Sequence, residues 1–501
     1  MLSRKFTLIF TVNILNGLLG YVAVFFIARY MGPVPLGIIG FALGFIGLFS
    51  FLADPGIGLA HTKRVSEGKD LATCIGTFLT IKIILTGIMI LCIFGAVAFW
   101  KFGLGMGFES IEQEIALYIM VIYFAFTSIS LTFTSTFDAR LETAKSQSSQ
   151  LVATIARMMC VVVVALIGFG TIGLAWAYVC GSIAMLSYAL FLFRSYPIGK
   201  FSKDYLKSYF HFALPAFLGI VVGVIAVNID SVMIQLFYGS TDVGYYSGAR
   251  RISEFLLLFS GATGLLLFPA MSGFHAKNNI AELRNLTHRS ERYLSMIVSP
   301  ITVFTIILAY PIVHVLLSDQ FFPSATLLRL LAVFVFIITL SHPYTVQFSS
   351  INKPIISAKI GALSAILNIC LNLIFIPQSV FGFRFLGWGA RGAAFATIIA
   401  AFAGFCLTRI IVKRLTSTKS NPRILLHFIA AFVMGAFLIL LNAIIYAERW
   451  YHLVLFALAG FGIYFSVLYL LNEFKKEDYR LFTETLNPIK MIKYIKRELK
   501  D

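Results

Sequence analysis

Charged side chains are scarce in this chain. Only 12% of its residues are Asp, Glu, Lys or Arg, about half the roughly 25% of a soluble domain. With 59% hydrophobic residues and a mean hydropathy of +0.90, that shortage excludes an ordinary water-soluble fold. It points instead to a chain solvated mainly by lipid. Cysteine is sparse as well. The six cysteines (Cys74, Cys92, Cys160, Cys180, Cys370 and Cys406) lie in or at the edge of apolar segments, with no CxxC pair and no Cys/His cluster. Neither a disulfide framework nor a metal centre is expected, and the thiols read as small hydrophobes.

Motifs of catalysis are missing too. There is no Walker A sequence, no His-Glu-x-x-His, no Gly-x-Ser-x-Gly and no acidic pair in an aqueous loop. No loop is long enough to hold a soluble domain. The longest outer one, 100–113, offers only Lys101, Glu109 and Glu112, with Glu114 at its edge. An enzyme is therefore not expected, and movement of a substrate has to run on a gradient, on the membrane potential or on the substrate's own concentration difference.

What the chain does have is long apolar runs. A helix needs roughly 20 apolar residues to cross the hydrocarbon core. Such runs fall at about 6–28, 38–60, 74–99, 114–137, 150–168, 172–193, 209–237, 244–271, 291–317, 323–349, 355–376, 389–410, 424–446 and 451–471. The expected fold is thus all-α and polytopic, with about 14 transmembrane helices. The run to Ala28 is too long for a signal peptide and is expected to be a first transmembrane helix.

The net charge of +18 follows from the side on which basic residues gather. With both termini inside, the cytoplasmic loops hold groups such as Lys63, Arg64 and Lys69, or Lys413, Arg414, Lys419 and Arg423. Outer loops hold single residues such as Lys101 and Arg449. That is the positive-inside bias of a multi-pass membrane protein with both termini in the cytoplasm, and no nucleic-acid partner is implied. In the tail, 472–501, Ile489, Ile492, Ile495 and Leu499 recur at helical spacing beside eight Lys and Arg. A basic amphipathic helix of this kind is expected on the anionic leaflet.

A repeat organises the spans. Tyr30, Gly32, Gly37 and Ala42 recur 207 positions later as Phe237, Gly239, Gly244 and Ala249, each set following the first helix of a six-helix block. Two blocks entering the membrane in the same sense form a parallel repeat. The expected domains are a six-helix lobe at 1–195, a second at 196–412, helices 13–14 at 413–471, and the tail at 472–501.

Ionisable residues inside spans are costly and usually face a polar interior. Lys82, Asp230 and Glu254 lie deepest, and a functional cavity is the expectation for them. Asp54, Arg157 and Arg329 are nearer helix ends, where snorkelling explains them. Arg250 and Glu254 share a helical face and can pair. With Arg251 also within reach, one carboxylate cannot satisfy both guanidinium groups, so one is expected to meet a ligand. Asn13 and Asn16 on helix 1, and Asn368 and Asn372 on helix 11, either bridge helices or line the same cavity. Asp54-Pro55-Gly56 and His342-Pro343 mark expected kinks.

The stretch Ala28-Arg29-Tyr30-Met31-Gly32-Pro33, Leu36-Gly37 and Ala53-Asp54-Pro55-Gly56-Ile57-Gly58, ending near Arg64 and Glu67-Gly68-Lys69, resembles the polysaccharide flippase family. So do Asp230-Ser-Val-Met233, Val243-Gly244-Tyr245-Tyr246, Ala249-Arg250-Arg251-Ile252 and Phe268-Pro269. Pro55 departs from the family, which more often has an apolar residue after the Asp. The resemblance implies the multidrug/oligosaccharidyl-lipid/polysaccharide (MOP) superfamily fold, two six-helix lobes about a central cavity. It also implies a polyprenyl-linked oligosaccharide as substrate, and glycan-assembly proteins as partners. On that reading Lys82, Arg250, Arg251, Asn13, Asn16, Asn368 and Asn372 are the substrate-binding candidates. Asp230 and Glu254 are the candidates for a coupled Na+ or H+, with no other cofactor. The alternatives are a cation-coupled multidrug exporter of the same superfamily and, more remotely, a polytopic glycosyltransferase or ligase.

Overall fold

The computed structural model describes residues 2–103, 105, 107–254, 257–380 and 382–474. In chain order its helices are α1 (Leu2–Tyr30), α2 (Pro33–Gly47), α3 (Ser50–Ala53), α4 (Ile57–Ser66), α5 (Leu71–Ala98) and α6 (Ile111–Ala139). Next come α7 (Thr143–Ile167), α8 (Gly170–Phe193), α9 (Lys203–Tyr238), α10 (Ser240–Glu254), α11 (Leu257–Ala276) and α12 (Ile280–Ile307). The chain continues with α13 (Ala309–Leu316), α14 (Pro323–Ser350), α15 (Pro354–Phe375), α16 (Gly389–Thr416), α17 (Ile424–Ile444) and α18 (Trp450–Leu470). Helices dominate because hydrocarbon offers no partner for an unpaired backbone amide. The strands described are a two-residue antiparallel pair, Ser379 opposite Arg384 and Val380 opposite Phe383, in the α15–α16 connection.

Among the described residues eleven helices are long and apolar enough to cross a membrane, or thirteen if two bent pairs each count as one span. The bent pairs are Pro33–Gly47 with Ser50–Ser66, at 47°, and α12 with α13, at 80°. The described residues do not confirm the count of about fourteen expected from apolar runs. The run at 244–271 includes residues 255–256, outside the described set, and the runs at 38–60 and 291–317 are each broken, the first in the stretch that holds the expected kink. The outward faces are apolar: Leu91, Leu214, Leu218, Phe432 and Ile444 are all more than two-thirds exposed, as lipid contact requires. The basic tail from residue 475 onward lies outside the described residues.

Two compact units divide the chain. One comprises Thr11–Arg251 and Gly361–Ala400; the other comprises Met1–Phe10, Ile252–Ile360 and Ala401–Asp501.

In the first unit the two copies of the repeat pack on each other. A Cβ at Gly37 would strike Ser240 O and fall 2.8 Å from Gly244 N. Reciprocally, one at Gly244 would strike Pro33 O and fall 2.8 Å from Pro33 C. Position 33 of one copy thus meets 244 of the other, and 240 meets 37, as in a self-complementary two-fold contact. Gly32 (φ 82°) and Gly239 (φ 89°) supply the positive φ that turns the chain into α2 and α10. Glu109 caps α10: its Oε1 and Oε2 accept Ser240 N–H at 3.2 and 2.9 Å.

Asp54 explains the expected kink at Asp54-Pro55-Gly56, where α3 gives way to α4. Its Oδ1 accepts the amides of Gly56 and Gly58, both at 3.1 Å, replacing helical bonds lost at the break. At His342-Pro343, by contrast, α14 runs on uninterrupted.

In the second unit α12, α14, α16, α17 and α18 are tied by buried ion pairs. Glu291 is fully buried and pairs with Arg409, while Tyr344 Oη donates to it at 2.6 Å. One residue on, Arg292 pairs with the fully buried Glu473 at the end of α18, and Arg423 joins at 3.2 Å.

Candidate functional site

The described acid most deeply set among the spans of the first unit is Asp230, eight residues before the end of α9 and only 4% exposed. Three neutral groups donate to its carboxylate. Tyr246 Oη on α10 reaches Oδ2 at 2.7 Å, Thr397 Oγ1 on α16 reaches Oδ2 at 2.8 Å, and Asn372 Nδ2 on α15 reaches Oδ1 at 2.7 Å. Asn368, one turn before Asn372, closes the ring. Its Oδ1 accepts from Asn372 at 3.2 Å and its Nδ2 donates to Thr397 at 3.2 Å. Four helices thus converge on one carboxylate. Asp230, Asn368 and Asn372 were expected from sequence. Tyr246 and Thr397 were not, because a lone Tyr or Thr in an apolar helix carries no distinguishing pattern.

The acceptors of this cluster are oxygens of the kind a small hard cation takes. Among the described residues the partners of Asp230 are uncharged, and Asn372 Oδ1 is buried with no hydrogen-bond partner. Buried polar atoms are nearly always satisfied, so an oxygen left without a donor, beside a carboxylate, suits a small cation that takes oxygen ligands. The described residues hold no group of three or more His, Cys, Asp and Glu suited to a metal.

The other sequence candidates are placed apart from this cluster or only beside it. Arg250 lies on α10 one turn beyond Tyr246, and its Nη1 donates to Val227 O at 2.8 Å. Arg251 is exposed, and Glu254, at the end of α10, is half-buried. Lys82 is elsewhere. It is 1% exposed on α5, its ammonium held at 3.1 Å by both Ala53 O and Asp54 Oδ2. Those bonds fasten it to the helix break, a role its position in the sequence did not reveal because Asp54 is 28 residues away. Asn13 is exposed on α1; Asn16 is half-buried and lines a separate cavity with Arg157. Arg157 itself is mid-helix, ten residues from the nearer end. Helix α7 begins at Thr143 rather than near 150, so snorkelling does not describe it.

Comparisons place this geometry in a family. Residues 26–326 match the polysaccharide biosynthesis protein family. The protein described as probable low-salt glycan biosynthesis flippase Agl15 of Haloferax volcanii is 22% identical over 408 residues, 80% of this chain and 81% of that one. Among solved structures, lipid II flippase MurJ in an inward closed conformation superimposes with a TM-score of 0.74 at 16% identity, over 93% of this chain and 99% of that one. An inward-facing multidrug resistance MATE family transporter of the MOP superfamily gives a TM-score of 0.66 at 16% identity, over 81% and 96%. The family match covers more than half the sequence and the fold is shared with these solved structures, so this multi-pass membrane protein belongs to the polysaccharide biosynthesis protein family.

Proposed function

We propose that the protein is a flippase that moves a polyprenyl-phosphate- or diphosphate-linked oligosaccharide across the cell membrane by alternating access, for assembly of a surface polysaccharide or glycan. The observation that carries the reading is the buried Asp230 cluster within a chain of this family. A carboxylate held by neutral donors beside an orphan oxygen is poised to gain and lose a small cation as helices α9, α10, α15 and α16 shift. Loading that cation is then the energy input, with Na+ or H+ as the species. Arg250 and Arg251 stand on α10 beside the cluster and suit the phosphate of the lipid carrier through charge-assisted hydrogen bonds. The apolar tail stays in the bilayer while the head group crosses.

The proposed organisation is two six-helix lobes, 1–195 and 196–412, followed by helices 13–14 and a cytoplasmic basic tail on the anionic leaflet. With the cell interior negative, moving a phosphate outward gains about 2.3 kcal/mol per charge per 100 mV, so the membrane potential adds to the cation gradient.

The test is flipping of a labelled lipid-linked oligosaccharide in proteoliposomes under imposed Na+, H+ and potential gradients. Transport that responds to a cation gradient in the wild type and ignores it in Asp230→Asn supports the reading. Transport indifferent to all three gradients and to Asp230→Asn overturns it. The likeness to the MATE fold keeps a second reading in play, a cation-coupled multidrug exporter. Extrusion of amphipathic cations with no flipping of the glycolipid would favour it.

A further inference from the structure

Apart from the Asp230 cluster, a cavity lies in the first unit among α1, α6, α7 and α8. It measures about 240 Å³ and is lined by Asn16, Thr127, Gln150, Thr154 and Ser182 around the guanidinium of Arg157. None of the residues lining the cavity beside Arg157 is an Asp or Glu. Its companion is the ring of Tyr178, 5.3 Å from guanidinium to centroid. Tyr123 meets Tyr178 edge-on at 5.6 Å and 89°, fixing that ring in place. Gly181 brings the two helices together here: a Cβ would fall 2.8 Å from Arg157 Cβ and 2.9 Å from Ala153 O. Asn16 Oδ1 is buried in the same wall and lacks a hydrogen-bond partner.

We infer that this cavity binds an oxyanion carried on a single hydroxyl-rich ring, the chemistry of an acidic sugar or a sugar phosphate. One fixed cation with no acid in the cavity lining calls for one negative group, and a guanidinium stacked on an aromatic ring presents its fork of donors to a carboxylate or phosphate. The surrounding hydroxyls and amides match a ligand rich in hydroxyl groups, and Asn16 Oδ1 is an acceptor waiting for one of their protons. The two tyrosines offer an aromatic face to the C–H side of a ring. Size limits the occupant. Drug-sized sites run to about 300–1,000 Å³, so this cavity takes one ring rather than a whole oligosaccharide. The biological role of the site, holding an acidic unit of the glycan, rests on the flippase reading; the binding does not.

Titration calorimetry on the full chain in nanodiscs tests it without transport, so a failure of flipping leaves the result intact. Three probes are compared: a disaccharide containing glucuronic acid, its neutral glucose counterpart, and polyprenyl phosphate incorporated in the disc. The acidic disaccharide is expected to bind at least tenfold more tightly than the neutral one. Arg157→Gln should erase that preference, and Arg157→Lys should keep part of it. If polyprenyl phosphate binds with the same dependence on Arg157 and the acidic sugar does not, the occupant is the lipid's phosphate and the inference of a ring-borne oxyanion is overturned. Ser182→Leu, which fills the cavity and leaves Arg157 in place, should abolish binding and serves if Arg157→Gln does not fold. Equal affinity for the acidic and neutral sugars together with no binding of polyprenyl phosphate, or a preference that survives both Arg157→Gln and Ser182→Leu, would overturn the inference.

Discussion

At the residue scale, Asp230 and Glu142 show how differently two carboxylates are used. Asp230 is held by neutral donors, so deleting one of them should weaken the site without unfolding the chain. Thr397→Val removes a hydrogen bond to a charged acceptor, worth about 1.5–3 kcal/mol. It should lower the thermal midpoint and raise the cation concentration needed for half-maximal transport. A thermal shift titrated with NaCl and with protons measures both effects, and an unchanged midpoint would argue that Thr397 is a bystander. Glu142, in the turn between α6 and α7, is held by cations instead. Burial works against its charge, but hydrogen bonds from Lys145, Tyr196 and Arg140 outweigh that and hold its carboxyl down to about 2. A depressed carboxyl stabilises the fold above its ordinary value near 4.5, and the benefit fades as pH falls toward 2. Glu142→Gln should therefore melt below wild type at pH 7, with the gap narrowing below pH 4.5. A gap that stayed constant from pH 7 to pH 3 would contradict the assignment.

The same scale shows what sequence reading reaches and where it stops. Asp230, Asn368 and Asn372 were legible because an acid and an i, i+4 amide pair are conspicuous in apolar helices. Their partners Tyr246 and Thr397 were not. Lys82 was legible as an unusual buried charge but not as the latch of a broken helix, since its acceptors belong to a distant turn. Arg157 was misplaced by seven residues of helix that begin with polar residues, Thr143-Ala-Lys-Ser-Gln-Ser-Ser149, and so fell outside a hydropathy window.

At the scale of elements, two glycine contacts set the packing. Gly37 and Gly244 leave no room for a side chain between the repeat copies, and overpacking of a tight contact costs about 1–3 kcal/mol. Gly37→Ala and Gly244→Ala should each destabilise by that order in detergent melts. Because each glycine abuts the partner copy, the double variant should cost less than the sum of the singles. Strict additivity would mean that the contact is not shared. Gly181→Val should part α7 from α8 and spoil Arg157's seat on Tyr178, while Gly223→Ala, with open space at its Cβ, should have little effect in the same melts. The four matching positions were legible in the sequence. The mutual contact of their two segments was not, because a spacing says nothing about what two segments do in space.

At the scale of the whole molecule, hydropathy and charge were enough to identify a multi-pass helical membrane protein, and the family match agrees. The number of spans was harder to read. Broken helices at Ser50–Ser66 and Ala309–Leu316 look continuous to a hydropathy window because their breaks are short and apolar on both sides. Function at this scale is the prediction already set for proteoliposomes, and its sharpest form is quantitative. A cation gradient should accelerate flipping at least tenfold in the wild type and leave Asp230→Asn at the ungraded rate.

The paired acids and arginines at one end of the second unit carry a lesson for anyone who would shorten the chain. Helices α17 and α18 lie outside the two proposed six-helix lobes, yet Glu473 just after α18 supplies the counter-charge that Arg292 shares with Arg423. A chain stopped after α16 would take that carboxylate away from a buried guanidinium, so the last two helices are not an optional extension but part of what makes insertion of α12 tolerable.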